Sequence, residues 1–137
     1  SPYKIVKSKE NKAREELDLF HFKYSLKNKI PCIGICHGAQ FIASYYGSSI
    51  IKKKGHVLKK SHKVFTRFEK NKKFDVNSYH DFCIKNLSPQ LMTIASCNDK
   101  TIEAFKHKKL EIMGIMWHPE RYKKIKSIDK YFFKEII

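Results

Sequence analysis

A cysteine set between two glycines, Gly34-Ile35-Cys36-His37-Gly38, closes an apolar, β-branched run that begins at Ile30 and opens a run of small and apolar residues reaching Ala43. This is the cysteine counterpart of the Gly-x-Ser-x-Gly elbow, in which a strand breaks sharply into a helix and leaves a nucleophile exposed at the bend. Glycine at 34 and 38 permits the tight turn. A thiol at a helix N-terminus is biased toward thiolate by the positive end of the dipole. The backbone N–H of His37 then points toward the oxyanion formed when Cys36 attacks a carbonyl. Cys32, four residues earlier, reads as an inert core thiol.

Trp117-His118-Pro119-Glu120 is the second constellation. A histidine at the end of an apolar strand, followed by a proline that stops the strand, places an imidazole at the sheet edge where such nucleophiles stand. Glu120 is spaced to accept a hydrogen bond from the ring nitrogen facing away from the sulfur, fixing tautomer and orientation. Alone, a histidine near a glutamate is an ordinary surface pair. Combined with the elbow it reads as a Cys36-His118-Glu120 triad. The four cysteines include no C-x-x-C pair, and Cys36-His37 has no second half at zinc-ligand spacing, so no metal is expected.

The elements that must carry these residues follow from the pattern. Residues 8–26 read as a helix N-capped by Ser8, with Ala13, Leu17, Phe20 and Tyr24 as its apolar stripe. Residues 30–35 read as the elbow strand, buried on both faces, and 38–46 as the elbow helix, stopped by Gly47. Short strands are predicted at 48–52, 64–68, 74–76, 91–96, 101–107 and 112–117, with 64–68 and 74–76 as a hairpin or adjacent strands. Between them lie a basic loop at 53–60, a polar loop at 77–81 and turns at 87–89 and 98–100. Glu103 and Asp99 read as strand-edge and turn residues. Ile128, Phe132, Phe133 and Ile136 make the apolar face of a C-terminal helix. The class is α/β.

At 137 residues the chain fits a single domain, 1–137. A composition with 42% hydrophobic residues excludes disorder on compositional grounds. No run of about 18 apolar residues suggests a membrane span, and the cysteine usage points to a reducing, cytoplasmic setting. The net charge of +16 invites a nucleic-acid-binding module as a reading of another class. The lysines, however, are spread along the chain and lack aromatic interleaving, so a lysine-rich solvated surface accounts for them better. That charge would still favour an anionic substrate. The first strong strand comes only at Ile30, so upstream strands are expected to be missing from this sequence.

Gly34-Ile-Cys36-His37-Gly38-Ala39-Gln40, followed by Gly114-Ile-Met-Trp-His118-Pro119-Glu120, resembles the class I glutamine amidotransferase superfamily. "VNSYHDF" (76–82) and "TIEAFKH" (101–107) resemble more specifically its stand-alone γ-glutamyl hydrolase branch, peptidase C26-like. Within that branch the lysine- and isoleucine-rich chain is similar to the γ-glutamyl-CDP-amidate hydrolases of bacterial capsule phosphoramidate synthesis. The resemblance implies a flavodoxin-like fold, a mostly parallel sheet flanked by helices, and antiparallel strands are expected near the C-terminal half. It implies Cys36 as nucleophile, His118 as acid and base, Glu120 as its orienting partner and the His37 N–H as oxyanion donor. Gln40, Ser78, Tyr79 and His80 match positions that contact the γ-glutamyl part of the substrate. The implied reaction is hydrolysis of a γ-glutamyl amide or glutamine without metal or organic cofactor. A glutaminase domain feeding ammonia to a synthetase partner is the alternative. Two departures stand out. The glycine-rich loop that supplies the second oxyanion donor in the family would lie upstream of the sequence, and His37 replaces the arginine or large apolar residue common after the nucleophile.

Overall fold

The computed structural model describes residues 9–52, 62–66, 73–78, 82–97, 99–124, 126, 129–130 and 134. Helix α1 (Lys9–Asn28) leads into strand β1 (Cys32–Ile35), which turns directly into helix α2 (His37–Tyr45). Seven strands follow: β2 (Ser49–Lys52), β3 (His62–Thr66), β4 (Lys73–Val76), β5 (Phe82–Asn86), β6 (Leu91–Ser96), β7 (Ile102–His107) and β8 (Ile112–Ile115). A single 3-10 turn, Pro119–Arg121, comes after β8. Among the described residues all eight strands form one sheet in the order β1-β8-β7-β6-β3-β4, with β5 joining at β7 and β2 at β5.

The sheet is mixed: the antiparallel strands expected near the C-terminal half are present, but the remainder is not mostly parallel, which corrects that part of the expectation. Only β1 and β8 run parallel among the described pairs; the ladders β2–β5, β3–β4, β3–β6, β5–β7, β6–β7 and β7–β8 are antiparallel. Connection length explains this. Parallel neighbours need a long crossover, and the connections between β6, β7 and β8 are too short to supply one. β5 is not among the strands expected from the sequence; its apolar run is only three residues long, Phe82-Cys83-Ile84, between a polar loop and the 87–89 turn.

Side chains alternate between two cores, one on each face of the sheet. Phe22, Phe41, Ile42, Ile84, Phe105, Ile112 and Met116 fill the face beneath the helices. Val64, Val76, Ala95, Met113, Ile115 and Trp117 fill the other. β8 is buried throughout, whereas β1, with β8 as its described neighbour, is half-buried except at Gly34. Gly114 is required where it stands, because a Cβ there would lie 2.3 Å from the Phe105 ring and 3.0 Å from Ala39 Cβ. Glycine at this point lets α2 and Phe105 both close on β8.

α1 packs with a different face from the one its apolar stripe predicts. Leu17, Phe20 and Tyr24 are 54%, 65% and 55% exposed. The inward face is Asp18, Leu19, Phe22, Ser25 and Leu26. Phe22 decides the matter: its ring meets Phe41 and Tyr45 of α2 and the C-cap residue Tyr46 edge-on, at centroid distances of 6.1, 4.9 and 6.1 Å. One aromatic anchor against a neighbouring helix outweighs a stripe of equal hydropathy. α2 ends as the sequence predicts, with Gly47 at φ 94°. Gly47 N–H donates to Ser44 O and Ser48 N–H to Ala43 O, both at 2.9 Å, which is a Schellman close.

Candidate active site

Cys36 stands between the last residue of β1 and the first of α2 with φ 51° and ψ −101°. A side chain rarely adopts that backbone, so the elbow is a strained bend. It is held on both sides: Cys36 N–H donates to Ile115 O at 2.7 Å, and Gln40 N–H donates to Cys36 O at 3.0 Å. The two flanking glycines are not equivalent. A Cβ on Gly34 would fall 2.6 Å from the backbone of Gly38, whereas one on Gly38 meets nothing within 4 Å. Gly34 is thus required by the close approach of strand and helix, and the expectation that both glycines serve the turn is corrected for Gly38.

His118 lies beyond β8. The parallel register Ile35↔Ile115 brings Cys36 and the segment leading to His118 to the same edge of the sheet. His118 Nδ1 lies 2.5 Å from Glu120 Oε1, and both residues flank or belong to the 3-10 turn. Glu120 is 55% exposed, so this pair sits at the surface. The turn is stitched to the end of β4 by Asn77. Asn77 Nδ2 donates to His118 O at 2.8 Å, His118 N–H donates to Asn77 Oδ1 at 2.7 Å, and Asn77 N–H donates to Tyr122 Oη at 2.6 Å. On the strand side, Trp117 is buried and its Nε1–H donates to the buried Asp129 at 2.7 Å.

The electrostatics run against one expectation. Burial pushes the Cys36 thiol up to about 11, outweighing the His37 N–H that donates to the sulfur and the nearby charges of Arg121 and Arg14. The helix end therefore does not make a resting thiolate; at neutral pH the sulfur holds its proton and needs a base. Glu103 adds to the upward push. His37 is held below the ordinary histidine range by burial and then by Arg14, against the opposing pull of Asp18, whose Oδ2 lies 3.4 Å from His37 Nδ1. For Glu120, burial works upward but the His118 hydrogen bond and its own backbone N–H prevail, leaving the carboxyl below its usual range.

Other candidates are distributed differently. Gln40 is buried on α2, and its Nε2 donates to Phe82 O at 3.1 Å, tying the elbow helix to β5. Ser78 is buried just past β4. Tyr79 and His80 lie outside the described residues, as do residues 53–60 and most of the stretch expected to form a C-terminal helix. Asp99 is a turn residue as predicted, its Oδ1 accepting from Thr101 N–H at 3.0 Å and Thr101 Oγ1 at 2.6 Å. Glu103 is not a strand-edge residue. It is fully buried in β7 and accepts from Cys97 Sγ at 3.3 Å. The β6–β7 register explains its placement: Thr93↔Phe105, Ala95↔Ala104 and Ser96↔Ile102 leave Ile94 and then Glu103 as extra residues, a pair of bulges. Bulges re-aim side chains, and no periodicity signal marks them in a sequence. Asn77 is equally invisible there, since its role depends on a partner 41 residues away. Among the described residues no group of three or more His, Cys, Asp or Glu is placed to hold a metal ion. No described helix is long and apolar enough to cross a membrane.

The model of the family glutamine amidotransferase class-I matches residues 10–136, and the chain belongs to that family. It is similar to the γ-glutamyl-CDP-amidate hydrolase of Campylobacter jejuni, 48% identical over 103 residues, which is 75% of this chain and 49% of that protein. It is also similar to a subunit of the glutamine-hydrolyzing GMP synthase of Methanococcus aeolicus, 31% identical over 102 residues, 70% of this chain and 54% of that one. In fold it resembles the crystal structure of a glutamine amidotransferase from Thermotoga maritima, with a TM-score of 0.66, 21% identity, and coverage of 88% of this chain and 52% of that chain. The chain thus spans about half the length of the curated relatives it matches.

Proposed function

We propose that the protein hydrolyses the C–N bond of a γ-glutamyl amide through a γ-glutamyl thioester on Cys36. The observation that carries this reading is the parallel register between the strand that ends at Cys36 and the strand that leads to His118. His118 takes the thiol proton, a step the raised thiol pKa makes necessary, and the thiolate attacks the γ-carbonyl. The His37 N–H, which donates to the sulfur at rest, holds the developing oxyanion. The imidazolium, oriented by Glu120, gives its proton to the leaving nitrogen as the C–N bond breaks. Water, deprotonated by the same imidazole, then attacks the thioester, freeing glutamate and the thiol. No step requires a metal or an organic cofactor. Gln40, Ser78, Tyr79 and His80 are the proposed contacts of the γ-glutamyl group.

For the leaving group we favour an anionic amidate, γ-glutamyl-CDP-amidate, in capsule phosphoramidate synthesis in the cytoplasm. Two observations support it: the relative of that name is 48% identical, and a net charge of +16 suits a nucleotide diphosphate. A second reading has support of its own, because the Methanococcus aeolicus relative belongs to a glutamine-hydrolyzing synthase. In that reading the chain is a glutaminase passing ammonia to a synthetase partner. Assaying the full-length protein alone on γ-glutamyl-CDP-amidate and on glutamine separates the two. Partner-free turnover of the amidate supports hydrolysis. Glutamine turnover that appears only when a synthetase is added would replace that reading with the second.

A further inference from the structure

We infer that Asn77 is a positioning residue for His118, holding the histidine's main chain from both sides so that the imidazole stands where Cys36 needs it. This rests on the proposed role of His118 as base. The Glu120 contact orients the ring but lies within the turn that carries His118, so it moves with that turn and cannot fix the ring relative to Cys36. Asn77 belongs to a different part of the sheet. It follows Val76 of β4, fully buried in the core that also contains Trp117, the residue before His118.

Its primary amide carries both a donor group and an acceptor, and the main chain of His118 requires one of each. The N–H of His118 must meet Oδ1 and its carbonyl must meet Nδ2, so the amide orientation is set by chemistry. This reciprocal pair continues strand-like pairing past the end of β8, where Pro119 prevents any further ladder. The same turn is gripped again where Asn77 N–H donates to Tyr122 Oη, and Lys126 Nζ donates to Asp75 O at 2.9 Å while lying 4.1 Å from the centre of the Tyr122 ring. Asp75 of β4 and Asn77 just past it therefore hold His118, Tyr122 and Lys126. Aspartate at 77 would keep the acceptor but lose the donor and set a carboxylate against the His118 carbonyl.

The test uses the full-length protein and two readouts: the rate of Cys36 alkylation by iodoacetamide across pH, and kcat and KM on a γ-glutamyl anilide. Asn77→Ala is expected to lower kcat about 100-fold with KM little changed, the scale of a displacement of about 1 Å in a catalytic group. It is expected to slow Cys36 alkylation near neutral pH toward the His118→Ala rate, with no further slowing in the double variant. Asn77→Asp should lose about 10-fold in kcat, since one of the two bonds survives, and it carries the same cycle where Asn77→Ala fails to fold. Wild-type rates in both Asn77 variants, or an equal loss from Asn77→Ala with and without His118, would overturn the inference. Alkylation needs no substrate. No turnover of the anilide with a normal alkylation cycle counts against the proposed reaction and leaves Asn77 supported, whereas a His118→Ala protein that alkylates like wild type overturns both.

Discussion

Cys36 is held mostly by its neighbours in the chain, with one further bond to Ile115 O of β8, whereas the main chain of His118 is held by residues from elsewhere. On the cysteine side, Gly34, the strained backbone at Cys36 and the Gln40 N–H to Cys36 O bond lie within seven consecutive residues. On the histidine side, the ties come from Asn77, 41 residues back, and through Trp117 from Asp129, 12 residues on. An assembled turn forms only after the sheet has brought β4 and β8 together. The nucleophile is thus fixed mainly by local backbone geometry together with one bond to β8, and its base by tertiary packing.

The largest expected effect treats the two sides as one unit. Cys36→Ala and His118→Ala should each lower kcat on a γ-glutamyl amide by on the order of 10⁴-fold or more, and the double variant should lose little beyond either. Additive losses in steady-state kinetics would mean that the two sides do not act together.

Gly34 and Gly38 sharpen the local side of the comparison. Gly34→Ala drives a methyl into the Gly38 backbone and should destabilise by about 3 kcal/mol in urea unfolding, while Gly38→Ala should stay within about 1 kcal/mol. Equal costs would show that the close approach is not what requires glycine.

A third measurement uses pH. Burial holds the folded Cys36 thiol near 11, against 9.0 for the free group, so folding favours the protonated form. The resulting stability is present in full below about 9 and is lost as pH rises to about 11, a change of roughly 3 kcal/mol at most. Wild type should therefore lose stability relative to Cys36→Ala over that window. Cys97, which burial also pushes up, is common to both proteins and cancels. Parallel alkaline declines would show that the thiol is not desolvated.

The smallest effect isolates the strained backbone. Glycine is ordinarily less stable than alanine in a structured segment, but at φ 51° the order should reverse. Cys36→Gly is expected to exceed Cys36→Ala in stability by about 1 kcal/mol. The usual order in thermal unfolding would mean that the bend relaxes when its sulfur is removed.

The same contrast explains what can be read in the sequence. The elbow, α2 with its Gly47 stop, and β6 and β7 are legible because neighbouring residues encode them. The inward face of α1 is not, because Phe22 and the stripe of Leu17, Phe20 and Tyr24 have comparable hydropathy and only α2 decides between them. Strand direction is legible in part: the antiparallel strands expected near the C-terminal half are there, joined by short connections, while the mostly parallel sheet that the resemblance implies is not. At the site, the types and spacing of Cys36, His118 and Glu120 are visible. The burial of Glu103 and the grip of Asn77 are hidden, since each depends on register between distant strands.

The offset residues Ile94 and Glu103 have an evolutionary corollary. Each shifts the ribbon by one position and the second undoes the first, so the two lengths are coupled across the hairpin. A lineage that deleted either alone would turn part of a strand inside out. One that deleted both would keep the ribbon paired but would lose the acidic group whose field reaches the sulfur. Length variation in this hairpin should therefore come in matched pairs, and a matched loss should leave a protein that folds with an altered thiol.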